Sequence, residues 1–312
     1  MKELRENEKG ILVLDAGDLL FEKSLNPIPE NEVNGITQKT HLIIESFNRM
    51  GYDALGIGDD DLTLGKEFLI ELSKKANFSF LSSNLINEES GKPFFQLYLI
   101  KEINHLRIGI FSLISPDSFW STPDPRRKGV IFRSPLETAQ NMVKELQPKT
   151  DLIILLSHLG YSKDVELAQA VPGIHFIVSG HGGSNLYYPP LIKNTLILQT
   201  APKGMYVGRF DLTLYNKEPA IYNTMTKRSL ENNLANLKNR LASVQAPEAE
   251  KAQWRRAKEG IERTLQQFQG KNEFNNRILP LNEQIKDHPD IKKMVDEYRS
   301  KFPKTTKPVS PQ

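Results

Sequence analysis

Between Ile11 and about Tyr215, short apolar runs alternate with stretches whose apolar residues recur every three or four positions, the pattern of a layered α/β domain. Residues 11–14, 52–57, 78–81, 152–156 and 176–178 are short, branched or aromatic runs and read as strands. Residues 38–50 place Leu42, Ile43, Phe47 and Met50 on one helical face, and residues 66–76, 135–146 and 163–170 read as further helices. Residues 94–103 and 107–114 read as a hairpin turning at Asn104-His105, which makes the sheet mixed and not purely parallel. Residues 191–199 and 206–214 read as a second hairpin, joined through residues 200–204.

Past Asn223 the pattern changes to polar helix formers. Leu230, Leu234, Leu237 and Leu241 mark one helix, and residues 247–269 a second, opened by Pro247 and closed by Gly270. A third helix spans about 289–302, followed by a linker-like tail. The predicted organisation is therefore a domain over 1–222 and a helical hairpin plus terminal helix over 223–312.

A length of 312 residues suffices for one large domain with an appendage. A net charge of +3 with both signs mixed provides no basic stripe, so a nucleic acid polymer is not an expected partner. The absence of cysteine excludes disulfides, thiolate metal sites and Cys nucleophiles within this sequence. Residues 1–9 have no apolar core, so they form neither a signal peptide nor a membrane span, and no run elsewhere reads as one.

Three of the apolar runs end on chemistry. Ile11-Leu12-Val13-Leu14-Asp15-Ala16-Gly17-Asp18, Asp151-Leu152-Ile153-Ile154-Leu155-Leu156-Ser157-His158 and His175-Phe176-Ile177-Val178-Ser179-Gly180-His181 deliver Asp, His and His to strand ends. Gly58-Asp59-Asp60-Asp61 follows another such run. In α/β sheets ligands collect beyond the carboxyl ends of the strands. Asp18, Asp59, His158 and His181 would form a mixed oxygen and nitrogen shell that suits Mn, Fe or Zn, with Mg and Ca also open, as one ion or two. Such a shell suits phosphate-ester hydrolysis, with Asp18 the natural bridging ligand. The acid run also reads as a solvated loop capping the next helix. His41, His105, His175 and His288 read as structural or exposed, Trp120 as a loop anchor, and Trp254 and Phe268 as packing residues of the helical hairpin.

These blocks resemble the calcineurin-like metallophosphoesterase superfamily, in particular its 5′-nucleotidase branch. The family pattern runs Asp-x-His, Gly-Asp, Gly-Asn-His-Glu/Asp, a single His, then Gly-His-x-His. Gly17-Asp18, Gly58-Asp59-Asp60-Asp61, Ser157-His158 and Gly180-His181-Gly182-Gly183 align with the last four blocks. Ser83-Asn84-Leu85 resembles the family's Ala-Asn-Ile strand end, and residues 204–210 its closing strand. The resemblance covers residues 10–214 and implies a four-layer α/β/β/α metallophosphatase-like sandwich, here with a C-terminal helical appendage.

It also implies roles. Asp18, Asp59, His158 and His181 would be metal ligands, Asp60 would stand at the position of the family's catalytic histidine, and Asn84 would lie near the substrate. The first block and its strand are missing, and Gly183 replaces the second His of the last block. Both losses fall on the same ion, so one site is expected to be kept and the other lost. The expected function is a metal-dependent phosphoester hydrolase of 5′-nucleotidase type, acting on a phosphate ester or nucleotide, with an impaired or single-metal site. The alternative is a catalytically inactive interaction or scaffold module. The stretch after Asn223 lacks the α/β pattern of a nucleotidase substrate domain and resembles the linker of exported relatives. That implies a periplasmic or extracellular protein, and self-association or docking through the C-terminal helices.

Overall fold

The computed structural model describes residues 1–8, 10–21, 28–119, 123–218, 220–242 and 246–303. Trp120 lies outside them. The described residues group into two compact units, Met1–Tyr206 with Pro280–Gln312, and Val207–Leu279.

In the first unit, α1 (Lys2–Asn7) precedes β1 (Leu14–Asp15). Helix α2 (Glu30–Met50) begins eight residues before the expected start at Gln38, with Glu30 and Glu32 in the first turn, where the helix dipole favours acids. Next come β2 (Ala54–Gly56), α3 (Gly65–Ser73) and β3 (Ser79–Leu81), and β1, β2 and β3 form a parallel three-stranded sheet. Strand β4 (Leu85–Asn87) is followed by β5 (Tyr98–Ile103) and β6 (Leu106–Ile114), the expected hairpin, turning at Asn104 and His105 with φ of 50° and 65°. Strand β7 (Val130–Phe132) pairs with β4. The alternation then continues through α4 (Pro135–Leu146), β8 (Leu152–His158), α5 (Tyr161–Ala170), β9 (Phe176–Ser179), β10 (Leu191–Ile192) and β11 (Thr195–Gln199).

The second sheet has the order β10-β11-β9-β8-β6-β5, with four parallel inner strands and an antiparallel strand at each edge. Every residue of β8 is buried, as expected for a strand covered on both faces. On one face Ala139, Met142 and Leu146 of α4 and Leu167 and Ala168 of α5 pack on Phe111, Leu113, Ile153, Leu155 and Ile177. On the other face β6 and β8 meet β2. Ile114 joins a cluster with Leu55, Ile57, Phe80, Ile44 of α2 and Leu69 and Leu72 of α3. The layers are α4 and α5, six strands, three strands, then α2 and α3, which is the expected α/β/β/α sandwich. Its two sheets point several strand ends at one edge.

One expected pairing does not form. Residues 191–199 fold on themselves as β10 and β11, because Lys193 takes a left-handed turn conformation (φ 52°), and β12 (Tyr206–Thr213) joins another sheet. The terminal helix α8, Pro289–Lys301, belongs to the first unit, where the Tyr298 hydroxyl donates to the Gly35 carbonyl at 3.2 Å.

The second unit holds β12, β13 (Ile221–Asn223), α6 (Thr224–Ala242), α7 (Glu248–Gln267) and β14 (Asn272–Pro280), in a sheet of order β12-β14-β13. Phe268 packs its ring 4.7 Å from that of Tyr222, and the Arg240 guanidinium lies 5.9 Å from the Trp254 ring. Strand β14 lies in a stretch with no predicted element. Its inward positions are Asn272 and Phe274, and the Asn272 amide is matched by the N–H of Tyr215 (2.8 Å) and the carbonyl of Glu218 (2.7 Å), so a polar residue occupies a core place. No helix among the described residues is long and apolar enough to cross a membrane.

Candidate metal centre

Each sheet contributes two of the four predicted ligands. Asp18 and Asp59 follow the ends of β1 and β2 in the three-stranded sheet, His158 ends β8, and His181 follows β9 in the six-stranded one. One ligand atom from each of Asp18, Asp59, His158 and His181 lies within 4.8 Å of the others. The glycines of the motifs permit this convergence. A Cβ at Gly58 would lie 2.3 Å from Asp18 Oδ1, and one at Gly180 would lie 2.4 Å from the Ala16 carbonyl oxygen. Asp18 itself has φ of 59°, a left-handed conformation that aspartate tolerates better than most residues.

His158 is fully buried, and its Nδ1 lies 2.9 Å from the Ala16 carbonyl, which can only accept. The proton therefore sits on Nδ1, and the Nε2 lone pair faces Asp18 Oδ2 (3.2 Å), Asp59 Oδ1 (3.2 Å) and His181 Nδ1 (3.1 Å). A carbonyl behind a ring nitrogen is the usual way a metal-binding histidine is oriented. Without a metal the cluster holds a proton instead. Burial alone would depress the His158 imidazole, but its hydrogen bonds to Asp18 and Asp59 lift it well above the usual range. Burial pushes Asp18 up, yet the hydrogen bond to His158 outweighs it and holds the carboxyl below its ordinary value. Burial and then the His158 charge depress His181, which favours the neutral imidazole that an ion would need. Two carboxylates and two imidazoles converging in this way fit a borderline divalent ion such as Mn, Fe or Zn.

Behind the ligands lie two residues whose part sequence reasoning did not identify. Asp61 is fully buried and accepts the N–H groups of Asp18 (3.0 Å), Leu19 (3.1 Å), Leu20 (3.1 Å) and Gly58 (2.9 Å), so one carboxylate ties the two ligand loops together. Burial and the Asp18 charge push it up to about 7, although four N–H donors fill every lone pair of the ionised form, which is the form this geometry fits. Arg126, with its side chain 7% exposed, sends Nη1 to Asp59 Oδ2 (3.0 Å) and Asp60 Oδ1 (2.7 Å). Asp124 grips its other edge at 2.8 and 3.0 Å.

Asp60 donates its N–H to Asp18 Oδ1 at 2.8 Å, and burial followed by the charges of Asp18 and Asp59 pushes its carboxyl up to about 6. Asn84 is fully buried with its amide on backbone. It donates to Ile114 O (2.8 Å) and Arg133 O (3.2 Å) and accepts from Ile114 N (3.0 Å). Gly183 has φ of 102°, and a Cβ there would lie 2.3 Å from the Gln199 amide. Of the other histidines, His175 Nδ1 accepts the Ile153 N–H (3.0 Å), His105 forms the β5–β6 turn, His41 lies 3.1 Å from Lys75 Nζ, and His288 is exposed.

No family model matches the chain. By sequence it is 28% identical to a 5′-nucleotidase of Vibrio cholerae over 239 residues, which cover 67% of this chain and 42% of the relative. It is 25% identical to the trifunctional nucleotide phosphoesterase protein YfkN of Bacillus subtilis over 255 residues, 70% of this chain and 17% of that one. The chain thus spans less than half the length of these curated relatives. By structure it resembles the 5′-nucleotidase precursor of Thermus thermophilus (TM-score 0.65, 24% identity, 96% of this chain and 51% of that one). It also resembles the calcineurin-like phosphoesterase YfkN (TM-score 0.64, 19% identity, 96% and 86%). In its sequence blocks and its sandwich the chain is thus similar to 5′-nucleotidases and to calcineurin-like phosphoesterases.

Proposed function

We propose that the chain hydrolyses a phosphate monoester, a nucleotide being the leading candidate, at a centre with one divalent ion. The observation that carries this reading is the convergence of Asp18, Asp59, His158 and His181 within 4.8 Å, with the His158 proton directed away onto Ala16. A divalent ion held by these residues would supply a hydroxide nucleophile and positive charge against the phosphoryl oxygens. Asp18 and Asp59 each bring an oxygen to 3.2 Å from His158 Nε2, and Asp61 fixes the two loops they stand on. We assign Asp60 to proton transfer at the leaving oxygen, because it stands at the position of the family's catalytic histidine and beside Asp18, to whose Oδ1 its N–H donates at 2.8 Å. We assign Asn84 to bracing the start of β4. A nucleotide is favoured because the relatives are named as a 5′-nucleotidase and a nucleotide phosphoesterase.

The test is hydrolysis of an aryl phosphate and of nucleoside monophosphates with Mn or Zn. Activity that survives chelator or Asp18→Ala would sink the proposal. The second reading, an inactive scaffold, draws on Gly183, where the family's second histidine would have to displace the Gln199 amide. Metal binding without turnover of any phosphate ester would favour it. We also assign docking or self-association to α6 and α7, which have no buried residue along their length, to be tested by sedimentation with and without residues 223–312. Export is the corresponding proposal for location, since the Thermus thermophilus neighbour is a precursor. Fractionation of the native host would test it.

A further inference from the structure

We infer that Arg126 is a positioning residue that makes the Asp59-Asp60 pair workable as one wall of the metal centre, an inference that rests on the cluster being an ion site. Asp59 and Asp60 stand where the family pattern has a neutral amide and an imidazole. Two carboxylates there add negative charge beside Asp18, in a place where water screens poorly. Arg126 answers both with one atom. Its Nη1 donates to Asp59 Oδ2 (3.0 Å) and Asp60 Oδ1 (2.7 Å).

The guanidinium is held from behind and cannot drift. Nε and Nη2 clamp Asp124 at 3.0 and 2.8 Å, the Asp124 side chain is itself 3% exposed, and the Phe119 ring lies 5.0 Å from Cζ. Bidentate pairing of this kind sets the plane of the fork as well as its place. The consequence falls on Asp59. With Oδ2 tied to Arg126, only Oδ1 is left for His158 (3.2 Å) and His181 (3.6 Å). A carboxylate so held offers one oxygen in one direction, as an amide would. Arg126 therefore offsets the charge of the Asp-Asp departure and would leave Asp59 a single oxygen, Oδ1, to offer an ion.

The experiment uses the full chain and a double-mutant cycle. Asp59→Asn with Asp60→Asn is made in the wild type and in an Asp124→Asn, Arg126→Gln background. Thermal unfolding without metal and Mn affinity by calorimetry are then measured. Removing the two carboxylates should destabilise the wild type, where Arg126 is left with Asp124, and stabilise the background, where they repel Asp18 unopposed. Mn affinity should show a coupling of roughly tenfold or more. Equal effects in both backgrounds would overturn the inference and leave Arg126 a loop anchor. If the background protein does not fold, recovery in the fourfold variant supports the inference and its failure overturns it. If no protein binds Mn while unfolding still shows the reversal of sign, the ion reading fails and the charge bridge stands.

Discussion

The carboxylate of Asp61 receives the backbone N–H of Asp18 at 3.0 Å, and the same oxygen receives that of Gly58 at 2.9 Å. The strand-end loops of β1 and β2 are thus joined through a side chain that belongs to neither ligand. Asp61→Asn keeps the size but turns one oxygen into a donor that faces other donors. The expected cost is about 3–5 kcal/mol, from two lost charge-assisted bonds and their stranded N–H groups. Urea unfolding measures it. Mn affinity should fall about 10- to 100-fold, as when a residue supporting a metal ligand is removed. A variant with unchanged stability and unchanged affinity would show that the two loops hold themselves.

The cluster of Asp18, Asp59, His158 and His181 should respond to metal as a unit. Mn or Zn at about a hundred times the dissociation constant is expected to stabilise the chain by about 2.7 kcal/mol, and chelator should reverse it. Calorimetry should return one ion per chain. Asp18→Ala should lower affinity by at least about 100-fold, since it removes a ligand and not merely a supporting group. Two ions per chain would contradict the single-site reading, and no stabilisation at all would contradict any.

The convergence of Asp18, Asp59, His158 and His181 was legible because each stands beside the feature that delivers it. Gly17-Asp18, Gly58-Asp59, Ser157-His158 and Gly180-His181 are written in the chain as apolar run, turn and ligand, all within a few residues. Asp61 and Arg126 act through distance. Nothing local tells which of three consecutive acids turns inward to collect N–H groups from a loop 41 to 43 residues away. Arg126 meets Asp60 across 66 residues, and its neighbourhood resembles an ordinary capped turn. The same holds for the fold. The β5–β6 hairpin was readable from its turn, whereas β14 was hidden by Asn272, a polar residue satisfied only by its tertiary partners.

Without metal, stability should fall as pH rises. Asp60 and Asp164 are pushed up to about 6, both chiefly by burial, and His158 stands well above its ordinary value through Asp18 and Asp59. All three hold protons more tightly folded than unfolded. Their contribution is complete below about pH 4 for the acids and is lost as pH rises through 6, while His158 extends the loss above 6.5. Asp18 and Asp124 are held low, with an opposite slope below about pH 4, and His181 and His175, depressed by burial, oppose the decline only up to about pH 6.5 and by less than the raised groups contribute. In chelator the unfolding temperature should therefore decline from about pH 4.5 to about pH 8. The stabilisation by Mn should grow over the same range, because His158 Nε2 must lose its proton to become a ligand. A flat or rising profile in chelator would refute this.

Restoring the family's second histidine should not restore a second ion. Gly183 sits at φ 102°, a conformation that costs an L side chain about 1–2 kcal/mol. The new Cβ would lie 2.3 Å from the amide of Gln199, which is buried and donates to Ser179 Oγ at 3.0 Å. Gly183→His must therefore displace Gln199 and break that bond, adding about 1–3 kcal/mol of overpacking. The expected variant unfolds at lower temperature and still binds one ion. Adding Gln199→Ala removes the overlap but not the backbone penalty, so it should recover only part of the loss. A Gly183→His protein as stable as the wild type, taking up two ions, would mean that the loop after β9 is free to rearrange and that space does not limit the centre to one ion.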